Sequence, residues 1–142
     1  MWRKVVFAGA FLFAAFAGPG PASADVVAEI ALSSQRMTVK VDGLTRHVWA
    51  VSTARQGYMT PTGSFRPIRL ERVWYSTIYN NAPMPYAVFF YGGFAVHGTY
   101  ETGALGRPAS HGCVRLHTEN ARQLFELIRA YGPGNSRIVI GG

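Results

Sequence analysis

The densest run of reactive side chains lies between His97 and His117. His97-Gly98-Thr99-Tyr100 is followed, after a loop, by Ser110-His111-Gly112-Cys113-Val114-Arg115-Leu116-His117. Three of the four histidines thus stand around the single cysteine. A thiol attacks as the thiolate, and a free cysteine with a pKa of about 8.5 is only a few per cent ionised near neutrality. A nearby imidazole can take that proton and give a thiolate–imidazolium pair. An oxyanion formed by attack on a carbonyl then needs donors already aimed at it. Successive backbone N–H groups around a glycine can supply them, because glycine permits a tight turn with no Cβ in the way. Ser110-His111-Gly112-Cys113 offers such a turn. Arg115, two residues on, carries a planar fork suited to a substrate carboxylate.

Each residue also has a plainer alternative. Cys113 has no partner for an internal disulfide, so it is an apolar filler, an intermolecular cross-link or a working thiol. His97 could be a satisfied core histidine, and Arg115 a structural ion-pair partner. His111 could brace the turn through its ring nitrogens, Ser110 could support it by a hydrogen bond, and His117 could sit exposed beside a helix cap. His97, His111, Cys113 and His117 are also competent zinc or copper ligands. The close His111-x-Cys113 spacing argues against that, since alternate residues of an extended run point opposite ways. The co-occurrence is harder to dismiss than any one member.

These residues need elements to hold them. The chain has 142 residues, enough for one domain. Hydrophobic residues make up 49% and charged residues 15%, which excludes a disordered chain. Met37, Val39 and Val41 alternate with polar residues as a half-buried strand does, and Asp42-Gly43 then signals a hairpin. With a strand over Ala28–Leu32 before it and another over Arg46–Ser52 after it, the domain opens as a β-meander. Phe65–Arg72 and Val73–Tyr79 are expected to extend as strands. Tyr86–Tyr91 is apolar and aromatic, Gly92-Gly93 then turns the chain, and Phe94–Val96 leads as a strand directly into His97. Ala121, Leu124, Phe125, Ile128 and Tyr131 fall on one helical face, with Thr118 as the expected cap and Gly132-Pro133-Gly134 as the stop. Arg137–Ile140 reads as a terminal strand. The connection Asn80–Tyr91, rich in Tyr, Pro and Met, is a candidate lid or substrate wall.

The first residues read as a leader. A basic start at Arg3-Lys4 precedes an apolar run of about 13 residues, Val5–Ala17, and Ala22-Ser23-Ala24 offers small residues to a signal peptidase. A secretory signal peptide over 1–24, cut before Asp25, is expected. A membrane anchor would need ~18–20 apolar residues. The formal charge of +7 could suit nucleic acid. Export makes an anionic envelope polymer or a carboxylate-bearing substrate the better partner.

The whole pattern resembles the L,D-transpeptidase catalytic domain, or YkuD domain. His97-Gly98-Thr99 and Ser110-His111-Gly112-Cys113-Val114-Arg115 carry the match. Val51-Ser52-Thr53, Thr60-Pro61-Thr62-Gly63-Ser64-Phe65 and Asn120-Ala121 extend it, so that it covers Val27–Ile140. The resemblance implies a mainly β, sandwich-like fold with one main helix after the cysteine. It implies Cys113 as nucleophile and His97 as its base, with the second ring nitrogen of His97 held by a backbone carbonyl, that of Gly98. It implies an oxyanion hole from the N–H groups of His111, Gly112 and Cys113. Ser110, Arg115 and Thr99 would support the site or bind a substrate carboxylate, with no metal and no cofactor. The implied partners are peptidoglycan stem peptides in the periplasm or cell envelope, not nucleic acid. Cys113 would acylate on a tetrapeptide stem with loss of D-alanine, and the amine of a neighbouring stem would resolve the thioester. The amine of an outer-membrane protein or lipoprotein, or water, are alternative acceptors for the same nucleophile. A non-catalytic wall-binding or metal-binding module is the other alternative. The domain is expected to stand alone, without a wall-binding module before it, and substrate capture is expected to rest on the domain, its charge or a partner.

Overall fold

The structure, a computed structural model, describes residues 24–142. The basic and apolar runs that define the expected leader, 1–24, lie outside the described residues. Strands β1 (Val26–Ala31), β2 (Arg36–Val41) and β3 (Leu44–Ala50) form the expected antiparallel meander. Asp42 and Gly43 make the turn between β2 and β3 with φ of 50° and 79°, the left-handed pair that a two-residue hairpin needs. The alternation on β1 and β2 drives Val26, Ala28, Ile30, Met37 and Val39 into the core. The last strand of the chain, β9 (Ser136–Gly141), lies parallel to β1, and β4 (Gly63–Phe65) closes that sheet in the order β3-β2-β1-β9-β4.

The second sheet has the order β5-β6-β7-β8, from β5 (Arg69–Glu71), β6 (Ala87–Tyr91), β7 (Phe94–Thr99) and β8 (Val114–His117). Its last pair, β7 and β8, is parallel. The unbroken apolar run of β6 is explained by burial on both faces. Val88 and Phe90 join the main core with Val96, Val114 and Leu116, while Ala87 and Phe89 join a smaller cluster with Met84 and Ala95. Helix α1 (Thr118–Tyr131) contributes Ala121, Leu124, Phe125 and Ile128 to the main core. Each large aliphatic side chain so buried contributes roughly 1.5–3 kcal/mol.

Four expectations are corrected. Phe65–Arg72 is not one strand: β4 and β5 belong to different sheets, and the chain crosses between them through Arg66-Pro67-Ile68. Val73–Tyr79 forms only an isolated bridge, Tyr75 to Pro83. Pro83 and Pro85 cannot donate to a ladder, and Val73, Tyr75 and Ile78 remain exposed, so nothing rewards an extended register. The helix cap is His117, whose Nδ1 accepts from Glu119 N–H at 3.3 Å. Thr118 is instead the first helical residue, and its hydroxyl donates to Thr99 O at 3.2 Å. Tyr131 is exposed, because it ends the helix where Gly132, with φ of 96°, turns the chain away.

The start of α1 rests directly on β7 at Gly98. A Cβ there would lie 2.8 Å from Thr118 Cα, a contact with backbone that no rotamer can relieve. Gly98→Ala is expected to destabilise the fold by ~1–3 kcal/mol, read as a lowered urea midpoint with unchanged slope. Wild-type stability in that variant would show that the helix is not held against the strand.

Candidate active site

Parallel pairing sets the site. Val96 lies opposite Val114, His97 opposite Arg115 and Thr99 opposite His117. Side chains alternate along a strand, so the valines face the main core, and His97 and Arg115 share the other face. Cys113 immediately precedes Val114 and falls on the His97 face, level with Ala95. Cys113, His97 and Arg115 all line one cavity of about 660 Å³, together with Ser110, Trp74 and Tyr79.

His97 is 6% exposed, and its Nδ1 lies 2.7 Å from Gly98 O. A carbonyl only accepts, so Nδ1 carries the proton and Nε2 is bare in the neutral ring. Burial lowers the His97 pKa from 6.5 to about 4; the Gly98 hydrogen bond opposes that and the Arg115 charge adds to it. Burial pushes the Cys113 thiol up, against the Ala95 backbone and Arg115, which pull it down. The thiol and the imidazole therefore both rest neutral. This differs from the expected thiolate–imidazolium pair because the protein atoms around each group penalise its charged form.

The loop before Cys113 is held by hydroxyls. Ser110, 1% exposed, accepts from Gly112 N–H at 3.0 Å and donates to Cys113 O at 2.6 Å through the same Oγ. Thr60 donates from Oγ1 to Gly112 O at 2.9 Å. Gly112 has φ of 139°, and a Cβ there would meet Phe94 Cε1 at 2.5 Å. Of the three expected oxyanion donors, Gly112 N–H is thus spent on Ser110. The N–H groups of His111 and Cys113 are claimed by no hydrogen bond among the described residues.

The remaining expected residues spread around this centre. Arg55 Nη2 donates to His111 Nε2 at 3.0 Å, while Tyr79 stacks on the His111 ring at 4.0 Å and Tyr58 meets it edge-on at 4.8 Å. Burial, then the Arg55 and Arg115 charges, lower the His111 pKa. Among the described residues Arg115 has a single ion-pair contact, 3.7 Å to Glu101, whose side chain is 82% exposed, so its guanidinium stays available to a ligand. Thr99 Oγ1 accepts from Glu101 N–H at 3.1 Å and shapes the start of the loop. His117 is spent on the helix cap. Among the described residues no three His, Cys, Asp or Glu side chains converge as metal ligands.

The wall over the cavity is Trp74 to Met84 rather than Asn80–Tyr91, since Ala87–Tyr91 is strand β6. Trp74 anchors it edge-on against Phe89 at 5.6 Å, and the Arg69 guanidinium lies over both rings at 4.5 and 4.2 Å. Arg55, Arg69, Trp74 and Tyr79 carry no motif signal. They reach the site from distant elements, and only the fold brings them there.

A family model described as the L,D-transpeptidase catalytic domain, YkuD, matches residues 25–140. YqjB of Bacillus subtilis (strain 168), to which L,D-transpeptidase activity is ascribed, is 24% identical over 87% of this chain and 75% of its own. An L,D-transpeptidase from Mycobacterium tuberculosis H37Rv superposes with a TM-score of 0.74 at 27% identity, covering 84% of this chain and 58% of that one. L,D-transpeptidase 3 from Mycobacterium tuberculosis, solved with a faropenem-derived adduct, gives 0.71 at 25% identity, covering 84% and 61%. The chain therefore spans about three-fifths of these solved structures. Its match to the family model takes in both sheets, the helix and the His97–Arg115 cluster, and the chain belongs to the L,D-transpeptidase catalytic domain family.

Proposed function

We propose that this protein is an exported peptidoglycan L,D-transpeptidase that works through a thioester on Cys113. The observation that carries the proposal is the convergence of Cys113, His97 and Arg115 on one sheet face and one cavity, with His97 Nδ1 held by Gly98 O. That hydrogen bond leaves Nε2 free to accept a proton. In the first step Cys113 Sγ attacks the carbonyl of the third residue of a tetrapeptide stem, and His97 Nε2 takes the thiol proton. The peptide C–N bond breaks, His97 returns the proton to the departing D-alanine amine, and a thioester remains. In the second step an amine of a neighbouring stem attacks the thioester. It gives its proton to His97, which passes it to the leaving sulfur. Arg115 would hold a donor carboxylate. The leader expected over 1–24 supports work in the periplasm or cell envelope.

Purified protein incubated with tetrapeptide muropeptides is expected to release D-alanine and form cross-linked dimers, and Cys113→Ala to do neither. Mapping the products separates a stem amine, a protein amine and water as acceptors. The adduct on the relative above motivates faropenem as a probe, with the mass gain expected on Cys113. A folded protein that neither releases D-alanine nor takes the adduct overturns the proposal.

The neutral pair fixes the pH profile. His97 accepts a proton only while its Nε2 is bare, and it remains so down to about pH 4 rather than 6.5. The rate of Cys113 acylation is therefore expected to hold steady as pH falls through 6.5 and to drop only near 4. A limb centred near 6.5 would show an ordinary, solvated histidine.

A further inference from the structure

The Thr60-Pro61-Thr62-Gly63 loop has no place in the chemistry above, yet its first residue is 3% exposed beneath the reactive turn. Thr60 Oγ1 accepts from Ala54 N–H at 3.0 Å and donates to Gly112 O at 2.9 Å. The donor direction is unambiguous, because Ala54 N–H only donates and a carbonyl only accepts. Gly112 O and Cys113 N–H belong to the same peptide plane. That bond is trans, so the two point in opposite directions. Thr60 lies outside the cavity and Cys113 lines it. Holding the carbonyl from below thus turns the Cys113 N–H up into the cavity, beside the sulfur.

We propose that Thr60 is a positioning residue for the oxyanion: by gripping Gly112 O it aims Cys113 N–H at the oxygen of the carbonyl under attack. The inference rests on the acyl-transfer function proposed above. Three features support it. Gly112 N–H is already committed to Ser110, so few donors on this turn remain for an oxyanion. The Ala54 end of the relay is rigid, since Arg55 N–H donates to Ser110 O at 2.9 Å and Ser110 N–H donates to Thr53 O at 2.9 Å. A hydroxyl on the carbonyl also polarises the peptide and makes its N–H a stronger donor. Without Thr60 the plane is freer to rock about ψ of Gly112, a residue with no side chain to resist it.

Two reactions of the same sulfur separate aim from general damage. Acylation by faropenem builds an oxyanion, whereas alkylation by iodoacetamide needs only an accessible, nucleophilic thiol. Both are read by intact-protein mass against time. Thr60→Val is expected to slow acylation about tenfold or more, since loss of a whole oxyanion donor costs ~10²–10³ in rate. Alkylation should stay within about twofold of wild type, because it uses no such donor. Thr60→Ser, which keeps the hydroxyl, should restore acylation. If Thr60→Val does not fold, Thr60→Ala compared with Thr60→Ser gives the same contrast. Wild-type acylation in Thr60→Val, or equal slowing of both reactions, overturns this inference alone. A wild-type protein that alkylates at Cys113 but never acylates overturns the transpeptidase proposal, and this inference with it.

Discussion

The parallel pairing of β7 with β8 is the constraint on which the site depends. Two parallel neighbours cannot be joined by a tight turn; the chain must cross back over a dozen or more residues. Here the crossover is Tyr100–Cys113, and it delivers the Ser110–Cys113 turn to the start of β8. The register then decides the chemistry. With His97 opposite Arg115, Cys113 arrives one step earlier on the same face, diagonal to His97. A slip of one residue would turn Cys113 into the main core. The register is pinned from the far side as well. Ser52 and Arg115 exchange backbone hydrogen bonds at 3.0 and 2.9 Å, so β8 is held on both edges.

Burial makes the site selective about charge. Burial of the two side chains disfavours both a thiolate and an imidazolium, and both groups rest uncharged. The same low dielectric strengthens any hydrogen bond made to charge that develops during reaction. Unpaired backbone is costly in such a site, and of the N–H groups on this turn only those of His111 and Cys113 are left open among the described residues. Ser110 and Thr60 limit that cost. Between them they satisfy Gly112 on both sides and Cys113 O. The hydroxyls do so without adding charge beside the sulfur.

Much of this architecture is legible in the sequence, for local reasons. The Asp42-Gly43 hairpin, the alternation of β2 and the apolar face of α1 follow from short-range periodicity and turn chemistry. The His97–Arg115 cluster stands out because its members are close in sequence. What escapes local reading depends on contacts made at a distance. Val73–Tyr79 has strand-forming residues but no partner strand, so it becomes the wall of the cavity. His117 takes the cap from Thr118 because the chain passes from β8 into α1 with no loop between them. Tyr79 and Arg55 close on His111 from 32 and 56 residues away, a spacing with no periodic signature. The neutral resting state of Cys113 and His97 is equally invisible in the sequence, since it reflects burial that only the fold creates.

The central claim is that His97 offers a bare Nε2 to Cys113 because Gly98 O holds the Nδ1–H of the buried ring. Nitrogen-15 NMR of the His97 imidazole in the folded protein tests this most directly. The protonated nitrogen is predicted to be Nδ1, and the ring to stay neutral until the pH falls to about 4. An Nε2–H tautomer, or a titration centred near 6.5, would contradict it.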